Sequence, residues 1–438
     1  MPKIAFYTLG CKVNQSDTNA MAKLFQDAGY EIVPFEEPAE VYLINTCVVT
    51  NTGQSKSRKI IHRAVKQALG AVVVVTGCYP QTAPEEVKHI AGVDLIVGNQ
   101  DRGRIVTLVE QARSNKKGEL VNAVHQLAPG SCFEELAVPT ETIKTRAFLK
   151  IQEGCNQFCA YCIIPYARGP LRSRSLENIT QEVTALVAAG YQEIVLIGIH
   201  LGAYGHETGG KTTLASAVKA ALAVPGLTRL RLGSLESVEV EDELLATMAQ
   251  DTRLCPHLHL PLQAGSDKIL RAMHRPYDTK KFTALLAGIR AKLPEIAITT
   301  DVIVGFPGET QEDFISSLAF IQSCKFSKIH IFPYSKRHGT PAAIMPEQVP
   351  ENIKKERAAC LAELDIAGHR AFCQTMVGEK VSVLIETRNA EGLWEGLAPN
   401  YVRVFVDKQQ ELAGKIIQVN VKKLYSTGVF GVIIENNL

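Results

Sequence analysis

AFLKIQEGCNQFCAYC, residues 147–162, runs from a strand-like stretch straight into three cysteines spaced CxxxCxxC. Cys155, Cys159 and Cys162 fall in one short loop. Three thiolates this close can hold three irons of a 4Fe–4S cluster and leave the fourth iron open to a chelating ligand. S-adenosylmethionine is such a ligand: its amino and carboxylate groups sit on the open iron before the sulfonium is reduced and a carbon radical is released. Two plainer readings compete. A zinc site would want a fourth protein ligand nearby or a catalytic water, and unrelated core cysteines rarely cluster this tightly.

Downstream the strand–helix alternation continues through EIVLIGIH (193–200), TRLRLGS (228–234), HLHLPLQ (257–263), ITTDVIVGF (298–306) and KIHIFPY (328–334). Six such strands predict an open, partial (β/α)6 barrel whose strand C-termini carry the chemistry. Upstream, IAFYTL, VYLINT and AVVVVTG alternate with helical stretches and predict a doubly wound parallel α/β domain. Between the two, Lys116, Lys117, Gly118, Pro129, Gly130 and Pro139 mark an irregular connector. A helix from about 351 to 375 precedes short strands from Gly378 onward, VSVLIE, YVRVFV, KIIQVNV and GVFGVII, which predict a small antiparallel β-barrel of OB-like size. The expected domains are therefore 1–112, a connector 113–142, 143–375 and 376–438.

Cys11, Cys47 and Cys78 have no local spacing, but each comes directly after a predicted strand: IAFYTLGC, VYLINTC and VVVVTGC. In a parallel sheet the strand C-termini share one edge, so these three can converge on a second cluster. Burial at a strand end is the competing explanation, since cysteine is a common core residue. Cys132, Cys255, Cys324, Cys360 and Cys373 show no shared pattern and read as core or incidental.

The chain of 438 residues carries a formal net charge of +2, so bulk charge neither demands nor excludes a nucleic-acid partner. No cationic and apolar secretory leader is visible and no apolar run is long enough to span a bilayer, which predicts a cytoplasmic protein. In that reducing compartment its 11 cysteines are expected to serve as ligands or core residues, not disulfides.

Taken together, TLGCKVNQSD, INTCVVT, TGCYPQ, GCNQFCAYCIIPYARG, HLPLQAGSDKILRAMHR, DVIVGFPGET and a C-terminal module similar to a TRAM domain resemble the radical S-adenosylmethionine methylthiotransferases over essentially the whole chain. YTLGCKVNQ and CNQFCAYCIIPYARG look most like the branch acting on N6-threonylcarbamoyladenosine beside the tRNA anticodon. Sibling branches act on isopentenyladenosine in tRNA or on a ribosomal-protein aspartate. Pro170 and Leu171 depart from a more arginine-rich segment, and LGSLES is an unfamiliar form of its strand-end motif.

The resemblance implies two 4Fe–4S clusters. The one on Cys155, Cys159 and Cys162 would make a deoxyadenosyl radical from S-adenosylmethionine; the one on Cys11, Cys47 and Cys78 would present sulfur, and a second S-adenosylmethionine would give the methyl group. Both clusters should face one cavity between the first two domains. It also implies a tRNA substrate and an electron donor such as flavodoxin or ferredoxin. Tyr161, Gly198, Ser234, Glu236, Gln263, Asp301, Gly305, Phe306 and Gly308 lie at or after strand C-termini, or within the radical loop, where the cofactor is expected; single polar residues there read equally as caps or turns. His200, His257 and His259 read as packed core histidines, not metal ligands.

For RNA, Arg168, Arg172 and Arg174 cluster after the radical loop, and Arg58, Lys59, His62, Arg63 and Lys66 share one predicted helix. In the C-terminal module, whose charges balance, Arg403, Tyr401, Phe405 and Trp394 are expected on one stacking face. Truncation at Gly378 should then abolish RNA binding and spare cofactor cleavage. A non-catalytic iron–sulfur RNA-binding or redox-sensing protein is the rival from another class, and a zinc-dependent hydrolase a third.

Overall fold

The computed structural model describes residues 1–434 except 68–69, 116–118, 129 and 140–144. Lys116, Lys117, Gly118 and Pro129, named above for the connector, lie outside the described residues. No helix is long and apolar enough to cross a membrane.

The N-terminal domain is a parallel sheet of β1 (Lys3–Thr8), β2 (Glu31–Val33), β3 (Val41–Thr46), β4 (Val72–Gly77), β5 (Leu95–Val97) and β6 (Val121–Ala123), in the order 2-1-3-4-5-6. Strands β3 and β4 are buried at every position, as expected of a sheet covered on both faces. The period of two sends alternate residues to opposite cores. Val41 and Leu43 pack with Met21 and Phe25 of helix α1 (Lys12–Asp27). Tyr42 and Ile44 pack with Ile61 and Ala64 of α2 (Asn51–Gln67). The connector supplies β6, so the sheet extends past the expected boundary at 112: β5 has backbone groups open on its outer edge, and Val121–Ala123 satisfy them in parallel register.

The central domain places six parallel strands side by side in chain order: β7 (Arg146–Lys150), β10 (Glu193–Ile197), β11 (Arg229–Leu232), β12 (His257–His259), β13 (Ala297–Val304) and β14 (Lys328–Pro333). A two-residue hairpin, β8 (Gln152–Glu153) and β9 (Arg172–Ser173), brackets the cysteine loop. The outer helices begin on side-chain caps, Ser175 for Leu176–Ala188 and Thr310 in a reciprocal capping box for Gln311–Cys324.

The C-terminal strands β15 (Lys380–Arg388), β16 (Trp394–Leu397), β17 (Arg403–Val406), β18 (Ile416–Tyr425) and β19 (Gly428–Ile433) close into a barrel. Four of its pairings are antiparallel as expected, and closure comes from a parallel pair, β17 with β19.

Two docking contacts position the site. Val13 of α1 packs on Val195 and Ile197 of β10, which sets the N-terminal domain against the side of the partial barrel. Beneath the barrel, Arg229 and Arg231 of β11 donate to the carbonyls of Leu397, Ala398 and Pro399, which fastens the C-terminal module across its floor.

Candidate active site

Cys11, Cys47 and Cys78 follow β1, β3 and β4, three adjacent strands, and the β1/β3 junction is where the strand order reverses. Strand-end loops diverge at such a switch point and leave a crevice. The loops converge there: a Cβ built on Gly10 would lie 3.1 Å from the Cβ of Cys47, and one on Gly53 3.7 Å from its sulfur. Gly77 turns the chain after β4 at φ +97°, where a Cβ would stand 2.4 Å from Asn45 Oδ1, so no side chain fits before Cys78.

The radical loop is similarly constrained. Gly154 has φ +80° and a Cβ on it would lie 1.9 Å from the carbonyl oxygen of Pro170. Cys155 N donates to Gly169 O at 3.0 Å, Ala160 N to Met273 O at 3.0 Å, and Ala342 N to Ala160 O at 2.8 Å. Three separate segments thus hold the loop in place. Phe158 sits in the left-handed region at φ +46°, its ring half exposed.

The segments that carry the two trios meet across the domain interface. Cys78 packs with Val48, Ile163 and Ala167, and Ile163 directly follows Cys162. Each trio also has one buried arginine aimed at a sulfur. Arg168 Nε is 3.3 Å from Cys78 Sγ, and Arg275 Nη1 is 3.1 Å from Cys159 Sγ. Such N–H···S contacts compensate the charge of sulfur ligands and are a lever on cluster potential. Arg275 is held by Glu236 and by the Tyr277 hydroxyl at 3.0 Å. Arg168 is held by Asp17 at 2.8 Å, Glu153 at 3.0 Å and Asn14 at 2.5 Å. Around it Lys150 and Arg102 pair with the same two carboxylates. Burial opposes the charge of Asp17 and Glu153, but these cations outweigh it, holding Glu153 at about 2 and Asp17 lower still.

Ligands of one tetrahedral zinc lie roughly 3.8 Å apart, from a Zn–S distance of about 2.3 Å. Among the described residues only His259, Asp301 and His330 bring three ligand atoms within 4.8 Å of one another. Neither cysteine trio is that compact among the described residues. The metal-free thiols of Cys11, Cys47, Cys159 and Cys162 are pushed up by burial, Cys162 to about 12.

Comparison with known proteins agrees with this layout. Residues 3–98 match the model described as uncharacterized protein family UPF0004, 149–321 the radical SAM superfamily and 374–434 the TRAM domain. The threonylcarbamoyladenosine tRNA methylthiotransferase MtaB of Bacillus subtilis is 42% identical, covering 100% of this chain and 98% of its own length. The chain belongs to the radical S-adenosylmethionine tRNA methylthiotransferases. The MtaB protein of Aquifex aeolicus is 38% identical over 95% of this chain and 99% of its own. A tRNA-2-methylthio-N(6)-dimethylallyladenosine synthase of Carboxydothermus hydrogenoformans is 36% identical over 94% and 95%. Among solved structures, the radical S-adenosylmethionine methyltransferase TsrM of Kitasatospora setae has the same fold, with TM-score 0.59 and 16% identity over 78% of this chain and 75% of that one. As a member of this family the chain is a transferase that uses a 4Fe–4S cluster and S-adenosylmethionine and acts on tRNA.

In this methylthiotransferase a cavity of about 970 Å³ lies inside the partial barrel, walled by all three domains: Lys12 beside Cys11, Ser234 just past β11, Asp301 in the middle of β13 and not at its C-terminus as expected, and Tyr401 and Arg403 of the TRAM domain. The expectation was of one cavity between the first two domains faced by both trios; this cavity has a TRAM floor and none of the six cysteines lines it, Lys12 beside Cys11 being the link to them. Of the expected cofactor residues, only Ser234 and Asp301 line it. Asp301 pairs with His259 at 3.2 Å, and Glu236 holds Arg275. Gln263 adopts φ +69°, with its backbone N–H donating to Asp301 O. A Cβ on Gly198 would meet Gln152, so that position serves close packing. Tyr161 packs on the barrel core.

Several expected ligand residues make contacts within the chain. Phe306 is fully buried against Tyr334, and Gly305 donates to Glu309, which Arg357 holds. Gly308 N donates to Glu347 O, so the GFPGE turn is tied to its own chain. Arg168, Arg172 and Arg174 are buried and do not present guanidinium groups to phosphate. Arg174 instead donates to Lys150 O, Leu136 O and Asn178. The expected stacking face is also absent: Trp394 and Phe405 are buried in the TRAM barrel and Tyr401 lies under the central one. Arg403 is exposed but paired with Glu395. On α2, Ser57, Ile61 and Ala64 face inward. Arg58 and Arg63 pair with Glu86 and Glu36, which leaves Lys59, His62 and Lys66 on the solvent face.

His200 touches Cys155 Sγ through Nδ1 at 3.5 Å and pairs with Glu239 through Nε2 at 2.8 Å. Burial works against its charge, but these partners raise its pKa to about 10. Reading it as an ordinary packed histidine missed this contact. Arg275, Asp17 and Lys12 were missed as well: single charged residues in helical or loop sequence look solvated until the fold shows what surrounds them.

Proposed function

We propose that this chain methylthiolates C2 of N6-threonylcarbamoyladenosine next to the tRNA anticodon, with one 4Fe–4S cluster on Cys155, Cys159 and Cys162 and a second on Cys11, Cys47 and Cys78. The observation that carries the reading is the packing of Cys78 against Ile163, the neighbour of Cys162, with Arg168 bridging the interface. The substrate is that named for the relatives at 42% and 38% identity. When bound, the clusters and S-adenosylmethionine supply one-electron chemistry, which a C–H position with no acidic proton and no leaving group requires.

The protein's own contribution is positioning. Arg275 and Arg168 hold the sulfur ligands of the two trios at fixed places, each itself held by carboxylates. Helix α1 closes the open side of the barrel and Tyr401 its floor, so a base entering the cavity is shielded from water. Lys59, His62 and Lys66, on the helix that follows Cys47, take phosphates of the flanking RNA. The electron donor is a flavodoxin or ferredoxin, and the compartment is the cytoplasm.

Anaerobic reconstitution followed by mass analysis of nucleosides tests the reading. Incubation with tRNA bearing threonylcarbamoyladenosine should convert that nucleoside to its methylthio derivative. Conversion of isopentenyladenosine alone, or cofactor cleavage with no nucleoside product, refutes it.

A further inference from the structure

The floor of the central cavity carries more positive charge than its carboxylates neutralise. Tyr401, at the β16–β17 turn, adopts φ +69° and projects under the barrel. Its hydroxyl accepts from Lys12 Nζ at 3.3 Å and Arg146 Nη1 at 3.4 Å, and the Arg231 guanidinium stacks 4.1 Å from its ring centroid. Lys12, Arg146, Arg229 and Arg231 gather there against Glu193 and Glu386, a surplus of two positive charges. Burial alone would raise the pKa of Tyr401, yet Lys12, Arg231 and Arg146 lower it. His257, against the same ring at 4.7 Å, is held neutral by burial and by Arg231.

The three arginines are engaged with carboxylates. Lys12 has no acidic partner among the described residues; its ammonium is held only by the Tyr401 hydroxyl and by the rings of Tyr401 and Phe148. It lines the cavity and directly follows Cys11. A positive, walled site with one uncompensated ammonium is made for an anion. At about 970 Å³ it is of the size that takes a single small molecule or extruded nucleoside. A flipped base enters such a pocket edge first while its phosphates remain at the rim, so the anion reaching the floor belongs to the base substituent.

We propose that Lys12, held by the Tyr401 hydroxyl, receives the carboxylate of the threonylcarbamoyl group on the target adenosine, and so separates this substrate from adenosines with an apolar N6 group. The inference rests on the substrate proposed above and deepens it. Lys12 acts as a binding and specificity residue.

The test is equilibrium binding of reconstituted enzyme to three anticodon stem-loops that differ only at the target nucleoside: threonylcarbamoyladenosine, its carboxyl methyl ester, and adenosine. A charge-assisted contact predicts that the parent prefers the acid to the ester about tenfold or more. Lys12→Gln, at an exposed first-turn position that tolerates the change, should reduce that preference below about twofold and leave the affinity for the adenosine stem-loop unchanged. Lys12→Arg should restore most of it, and Tyr401→Phe should weaken it partway. Equal loss on all three RNAs in Lys12→Gln marks a phosphate contact and overturns the assignment, as does an undiminished preference. A parent that fails to distinguish acid from ester overturns it too. If that same parent still methylthiolates threonylcarbamoyladenosine, the substrate reading stands and only the role of Lys12 falls; if it modifies another nucleoside, both fall.

Discussion

Replacing Arg168 by methionine removes the residue that joins the two cysteine trios, and the structure sets the size of the effect. Truncating one partner of a buried ion pair costs about 3–5 kcal/mol, because a charge is left uncompensated. Here the network holds Arg102, Lys150 and Arg168 against the buried Asp17 and Glu153 and the partly buried Glu134, which pairs with Arg102 at 3.1 Å. Without Arg168 the two carboxylates keep two cations: Asp17 retains Lys150 at 2.5 Å and Arg102 at 3.3 Å, and Glu153 retains Lys150 at 2.7 Å. The loss should therefore sit at the low end, about 3 kcal/mol. Asp17→Asn leaves three cations facing Glu153 and the partly buried Glu134, and removes a carboxylate that all three cations share, so it should cost more, about 5 kcal/mol. Lys at position 168 keeps the charge but not the fork that reaches Asp17, Glu153, Asn14 and Cys78 together, so it should recover about half. The assay is urea unfolding of the metal-free chain under reducing conditions, followed by far-ultraviolet circular dichroism. The single tryptophan, Trp394, lies in the TRAM barrel and reports separately on that module by fluorescence. A loss below about 1 kcal/mol for Arg168→Met, or a larger loss for it than for Asp17→Asn, would refute the reasoning.

Acid should undo the same interface. Asp17 and Glu153 are held below their unfolded values, so their contribution is present above about pH 4.5 and is lost as pH falls toward about 2. The urea midpoint of the metal-free chain should drop more steeply between pH 5 and 3 than that of Glu153→Gln, and parallel slopes would count against the assignment. Gly77→Ala places a Cβ against Asn45 and displaces Cys78, so reconstituted protein should bind about half the parent's iron while keeping the radical-loop cluster; full iron content would show the turn to be tolerant. Truncation at Gly378 strips Arg229 and Arg231 of their carbonyl acceptors and opens the cavity floor. It should reduce soluble yield and thermal stability along with RNA binding, in contrast to the selective loss expected from sequence; an intact, stable truncated enzyme would restore the sequence reading.

Local spacing and strand periodicity were enough to reveal the chemistry class and the fold. CxxxCxxC is short-range, and Cys11, Cys47 and Cys78 follow buried strands whose C-termini a parallel sheet must align. Both depend on backbone geometry that residue type and period dictate. What the tertiary structure alone decided was the fate of charge. Arg168, Arg172 and Arg174 read as a phosphate-binding run, yet the fold buries them, because hairpin β8–β9 and the connector close over the domain interface. Nothing in the sequence marked Lys12, yet α1 points it into a cavity whose floor comes from residues some 390 positions later. Whether an ion pairs, binds or stays solvated depends on neighbours brought in from distant parts of the chain, and electrostatic interactions carry no sequence period.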